Sequence, residues 1–308
     1  MCSLPDVLQE EHVDVDGFEI LRGEQTYMTH TTDTPNTSVT LYVLLTFIWS
    51  WSLWIPLALS QVPVKETPWF YLMLLGGPTP SIIGLLLILK HKVSSCQHML
   101  SATCSFKRLG LTYGIGSFVL IPGVFFASLL FNYLVFRTAP SFQGVRALVV
   151  NPISLAGFLF FVIYSGPLTE EFGWRGYALS VMRSRWSLLS SSLIIGVVWS
   201  VWHYPLFFLN GQYAIEQYWL TIPLHLLKHI SLSLIIGFFF YRTNGSILSA
   251  ILIHGVSNAV VRLSGPLPVS ADVIYHGMLI MTALLCLHVS WTQEQGGRST
   301  SILGREPR

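Results

Sequence analysis

The run Leu159-Phe-Phe-Val-Ile163 leads within a few residues into Thr169-Glu-Glu-Phe-Gly-Trp-Arg-Gly176, and the chain soon turns apolar again at Leu188-Leu-Ser-Ser-Ser-Leu-Ile-Ile195. Two adjacent carboxylates, Glu170 and Glu171, and a cation one helical turn on, Arg175, therefore sit inside apolar sequence. Ionisable groups in hydrocarbon are costly, so those found there face a protein interior or a watered cavity and mark function. The stretch predicts an all-α membrane protein with a polar site inside it.

The rest of the chain agrees. Of 308 residues, 52% are hydrophobic and 10% charged, with a mean hydropathy of +0.58. A soluble domain carries about a quarter charged residues. Apolar stretches of bilayer length recur near 39–60, 69–89, 113–136, 152–181, 188–209, 219–241, 245–263 and 272–291. A spanning helix needs about 20 such residues, and lipid admits only helices or closed barrels. The expected fold is a polytopic transmembrane bundle of about eight helices. The net charge of +2 gives no reason to expect a nucleic-acid partner. Cys2, Cys96, Cys104 and Cys286 form no framework, and Cys96, His98 and Cys104 match no zinc spacing.

Three regions follow: a polar acidic tail at 1–37, a transmembrane domain at 38–291 and a polar C-terminal tail at 292–308. The tail lacks the basic and apolar regions of a signal peptide. With eight spans, the tails and the loops near 90–112, 182–187 and 242–244 share one side. Arg22, Lys90, Lys92, Lys107, Arg108, Arg183, Arg185, Arg242, Arg298, Arg305 and Arg308 lie there, against Lys65, Arg137, Arg146 and Arg262 opposite. The positive-inside rule puts both termini in the cytosol. The sequons Asn36-Thr-Ser38 and Asn244-Gly-Ser246 would then stay bare.

Three polar motifs recur along the apolar chain. Glu171 and Arg175 are spaced i, i+4 with the carboxylate first, the favourable order for a helical ion pair. That pairing leaves Glu170 on a neighbouring face, available as a general base. Trp199-Ser-Val-Trp-His203 puts an aromatic ring one turn before an imidazole, and Pro205 breaks the helix just beyond. His254-Gly-Val-Ser-Asn258 puts an imidazole and an amide on one face, each able to donate a hydrogen bond or ligate a metal. At 1.5 Å per residue from the cytosolic helix ends, Glu170 lies roughly 16 Å deep, His203 about 22 Å and His254 about 15 Å. Groups at similar depth satisfy one another by converging inside the bundle. His225, Lys228 and His229 form a fourth cluster, read as a water-lined polar seam rather than a direct part of the site.

These motifs, in this order on successive spans, resemble the CAAX protease and bacteriocin-processing (CPBP, or Abi) family of intramembrane proteases, which includes type II CAAX prenyl endopeptidases. Glu-Glu-x-x-x-Arg and His-x-x-x-Asn match in full, and Trp199 stands where the family usually has Phe. The resemblance covers about residues 150–262. It implies a protease in which Glu170 activates water, His203 positions it, His254 and Asn258 stabilise the oxyanion, and Glu171 with Arg175 supports them. Glu170, His203 and His254 also make a workable site for Zn2+ or another divalent metal; a glutamate base needs none, and both forms stay open. The implied partners are the bilayer and a membrane-associated or lipidated peptide. A secondary transporter with a midplane His/Glu site, or a non-catalytic membrane scaffold, is the alternative.

Overall fold

The computed structural model describes residues 35–91, 106–151, 153–211 and 218–303. The acidic tail, apart from its last residues, and the Cys96, His98 and Cys104 loop lie outside them. Every regular element among the described residues is helical. Ten principal helices follow one another: α1 (Pro35–Ser60), α2 (Trp69–Gly76), α3 (Thr79–His91), α4 (Leu111–Phe136), α5 (Gln143–Val150), α6, α7 (Leu188–Trp202), α8 (Tyr218–Arg242), α9 (Ile247–Ser264) and α10 (Val269–Leu303). Helix α6 is a composite of Ser154–Ile163, Tyr164–Leu168, Thr169–Glu171, Phe172–Leu179 and Ser180–Met182.

The expected count of about eight needs correcting. Each apolar stretch became a helical unit, but α2 and α3 are separate helices meeting at 42°, where Gly77-Pro78 interrupts the pattern. Helix α5 was not expected, because its eight residues are too short to carry a bilayer-length signal. Five helices, α1, α4, α8, α9 and α10, are long and apolar enough to cross a membrane, and the bent pair makes a sixth if it counts as one span. Helix α7 has 15 residues, shorter than a full span. The polar C-terminal tail begins within α10.

The lipid-facing and interior surfaces follow from the side chains. On α4, Leu111, Phe118, Phe126 and Leu130 are each more than half exposed, as expected where hydrocarbon replaces water. In α8, 56% of the apolar window is buried, twice the 28% of α4, so α8 is the central post of the bundle. It packs on α7, α10 and α9. Lipid supplies little hydrophobic drive between helices, so close association depends on small residues at the contacts. Gly173 of α6 shows this: a Cβ there would collide with the Pro80 carbonyl oxygen of α3. That contact seats the carboxylate-bearing half of α6 against α3.

Candidate active site

Helix α6 delivers the carboxylates through an irregular turn. Ser165 (φ −77°, ψ 81°) and Gly166 (φ 126°, ψ −79°) leave helical geometry just before Pro167. Thr169 repairs the break: its Oγ1 donates to the Tyr164 carbonyl at 2.9 Å and accepts from the Gly166 N–H at 3.1 Å. Freed backbone groups in a membrane helix need such partners. The chain then resumes at Thr169, with Glu170 and Glu171 both buried.

The two glutamates take different partners. Glu171 Oε1 lies 3.0 Å from Arg175 Nη1 and 2.7 Å from His254 Nδ1. Glu170 Oε2 accepts a hydrogen bond from Trp199 Nε1, and its Oε1 is 3.9 Å from His203 Nε2. The ion pair fell where i, i+4 spacing put it. The link from Glu171 to His254 was not legible, because nothing in the spacing says which carboxylate the α9 imidazole meets.

Hydrogen bonding fixes the roles of the ring nitrogens. His203 Nδ1 lies 2.9 Å from the Trp199 carbonyl, which can only accept, so Nδ1 carries the proton. Nε2, facing Glu170, is left with its lone pair. Trp199 joins the parts: beyond its bonds to Glu170 and His203, its ring meets His254 with centroids 5.0 Å apart, and the Arg175 guanidinium lies 4.6 Å over it. A phenylalanine in its place offers no N–H to Glu170.

His254 and Asn258 share the α9 face that looks at the α6 break. A Cβ built on Gly166 would stand 2.9 Å from both His254 Nε2 and Asn258 Nδ2. Asn258 Nδ2 also donates to the Ser165 carbonyl at 3.5 Å. Only glycine tolerates both the positive φ and this approach. Gly166 is thus a site residue that sequence reasoning missed, although Gly-Pro inside an apolar run was a visible signal of a break.

The six candidates, Glu170, Glu171, Arg175, His203, His254 and Asn258, are therefore linked through short contacts, with the Glu170 carboxylate 3.9 Å from the His203 imidazole and Glu171 joining Arg175 to His254. The fourth cluster stands beside them. His229 and His225 have ring centroids 5.0 and 5.4 Å from that of His203. For the metal-ligand set Glu170, His203 and His254, the fit is partial: Glu170 faces His203 at 3.9 Å, but the three do not bring one ligand atom each within 4.8 Å of one another.

Comparison with known proteins finds the same resemblance. Residues 152–260 match the sequence model of the type II CAAX prenyl endopeptidase Rce1-like family. The chain is also 30% identical to CAAX prenyl protease 2 of Methanococcus maripaludis over 250 residues, covering 79% of this chain and 90% of that protein. The family match takes in all six candidate residues.

Proposed function

The chain belongs to the Rce1-like family of type II CAAX prenyl endopeptidases, and from that premise we propose that it hydrolyses a peptide bond in a membrane-associated substrate of the prenylated CAAX type, using water activated by Glu170. Family membership weighs against the transporter and scaffold alternatives. The observation that carries the mechanism is the 3.9 Å approach of Glu170 Oε1 to His203 Nε2.

A water about 2.8 Å from both atoms subtends an angle of roughly 90° between them, so its two O–H groups can reach the carboxylate and the imidazole lone pair together. Glu170 takes one proton as the water oxygen attacks the scissile carbonyl carbon. The carbonyl oxygen becomes an oxyanion, for which Asn258 Nδ2 and His254 Nε2, side by side at Gly166, are the proposed donors. His254 Nδ1 donates to Glu171, so its Nε2 donates only when the ring carries both protons, and the Glu171 carboxylate is the counter-ion for that form. Collapse breaks the C–N bond, and the proton held by Glu170 passes to the departing amine. A divalent ion, if bound at Glu170, His203 and His254, would supply Lewis-acid polarisation, but these three residues do not bring one ligand atom each within 4.8 Å of one another, and no step above runs through it.

The test is hydrolysis of a prenylated peptide by the purified full chain, with products identified by mass. Glu170→Gln keeps the size and hydrogen bonding but removes the base, and turnover should fall about 10²–10⁴-fold while folding is retained. Wild-type turnover by a correctly folded Glu170→Gln overturns the assignment.

A further inference from the structure

We propose that His203, His225 and His229 form a binding site for a divalent transition-metal ion of the Zn2+ class, and that its occupation inhibits the protein by taking the His203 lone pair that orients water. One ring nitrogen from each residue lies within 4.8 Å of the others, the only such group of three among the described residues. Two of the three come from one turn of α8, and the third from the end of α7. The inhibitory half rests on the reading of Glu170 and His203 as the water-activating pair; the binding half does not.

The hydrogen bonds leave the three rings ready as ligands. His203 Nδ1 is bonded to the Trp199 carbonyl at 2.9 Å. His229 Nδ1 is bonded to the His225 carbonyl at 2.8 Å. His225 Nδ1 is 3.1 Å from Ser200 Oγ, which can accept from it. Each ring thus has Nδ1 held by an oxygen and Nε2 unspent. A ligating imidazole whose other nitrogen is held by an oxygen is the usual arrangement at metal centres, since it fixes both tautomer and ring direction. Zn–N bonds of about 2.0–2.1 Å in tetrahedral geometry require nitrogens about 3.3 Å apart, so nitrogens that already lie within 4.8 Å of one another need to close by about 1.5 Å at most. Three neutral imidazoles leave the ion's charge uncancelled, and Glu170, 3.9 Å from His203 Nε2, is the nearby anion. Lys228 lies on the same helix turn and opposes the ion. The site therefore suits a cation that imidazole binds strongly rather than Mg2+ or Ca2+, which take oxygen ligands.

The competition follows from arithmetic on one nitrogen. With Nδ1 committed to the Trp199 carbonyl, His203 has one lone pair, and it serves either the catalytic water or the ion.

The experiment uses the full chain in detergent, stripped with a chelator, and titrated with Co2+ as a spectroscopic stand-in for Zn2+. The expected result is one ion per chain, with the visible absorption of a four-coordinate site, displaced by Zn2+. His225→Gln and His229→Gln should each weaken binding at least about tenfold, while Leu227→Ala, on the exposed side of the same turn, should not. Should either glutamine variant fold poorly, Zn2+ protection of the wild-type histidines from diethyl pyrocarbonate, mapped by mass spectrometry, keeps the question open to refutation. His203, His225 and His229 should be protected and His288 not. No four-coordinate spectrum, or one that both variants retain, overturns the site. In the peptide assay, Zn2+ should inhibit the wild type with the midpoint of its binding, and each variant, referred to its own metal-free rate, should need at least about tenfold more ion. Unchanged or increased turnover at full occupancy overturns the inhibitory role. Glu170→Gln leaves all three imidazoles in place, so its result judges the catalytic reading separately.

Discussion

Glu170 and Glu171 are neighbours in sequence with the same chemistry, and their surroundings give them different work. Glu171 shares one oxygen between Arg175 and His254 and is fully buried. Breaking a buried pair by removing one partner costs about 3–5 kcal/mol, because it leaves a charge uncompensated. Arg175→Ala should therefore lower stability by about that amount in a denaturation experiment, and activity with it, whereas Glu170→Gln should lower turnover and spare stability. Trp199 tests a finer point. Its Nε1 donates to Glu170, and hydrogen bonds to charged groups are worth about 1.5–3 kcal/mol. Trp199→Phe keeps a ring under Arg175 but releases the carboxylate. The expected outcome is a fall in kcat of roughly 10- to 100-fold, with KM little changed and a pH–rate profile displaced from that of the wild type. Equal kcat and an unmoved profile would reduce Trp199 to a wall of the pocket.

Helix α6 shows at the scale of an element what one break contributes. A straight helix would keep its backbone bonds internal and hold α9 at a distance. The turn at Ser165-Gly166 instead admits His254 and Asn258 against the backbone and starts a new helical run at the carboxylates. Gly166→Ala should therefore act twice. A side chain at φ 126° costs on the order of 1–3 kcal/mol, and its Cβ would press on both proposed oxyanion donors. We expect a lowered unfolding temperature and a loss of turnover greater than the destabilisation explains; wild-type kcat would mean that the donors do not work from this position. The sequence announced the residues of this element better than its shape. Spacing alone paired Glu171 with Arg175 and put His254 with Asn258, because i, i+4 neighbours share a face in any helix. It was silent on Glu171 meeting His254 and on Trp199 meeting Glu170, since those contacts depend on how α6, α7 and α9 are rotated about their axes. Apolar content located most of the long helices to within a few residues, but it ran past the end of α7 at Trp202, stopped short of the end of α10 at Leu303 and read 152–181 as one regular span, missing the break, because hydropathy is blind to φ and ψ.

Across the whole molecule, the loops sort into two faces. Arg108 donates to the Asn244 carbonyl at 3.3 Å, and Arg183 lies 5.6 Å over the Tyr241 ring, which gathers the starts of α4, α7 and α9 and the ends of α6 and α8 on one face. Opposite, Asn210 donates to the Gln61 carbonyl at 2.8 Å, and Gly144 packs on the Arg262 carbonyl. Alternation through α1, the bent α2–α3 pair, α4, α6, α7, α8, α9 and α10 puts both ends of the described chain on the first face. Among the described residues, Lys90, Lys107, Arg108, Arg183, Arg185 and Arg242 belong to that face, against Lys65, Arg137, Arg146 and Arg262 on the other. Loop cations are held on the cytosolic side during insertion, so this face should be cytosolic. Single cysteines in a cysteine-free background decide it. Ser184→Cys marks the first face and Ala139→Cys the second, and both positions are exposed. In intact cells an impermeant maleimide should label Ala139→Cys and reach Ser184→Cys only after lysis; the reverse pattern inverts the topology. The natural sequon at Asn244 gives a second check, since a glycan there in a eukaryotic host would put the first face outside. Either result also bears on substrate access: the carboxylates on α6 lie 12 residues or fewer before its first-face end at Met182, roughly 18 Å at helical rise. A cytosolic first face would let a lipid-anchored peptide reach Glu170 from the side where prenylated chains are displayed, without its polar end crossing the bilayer.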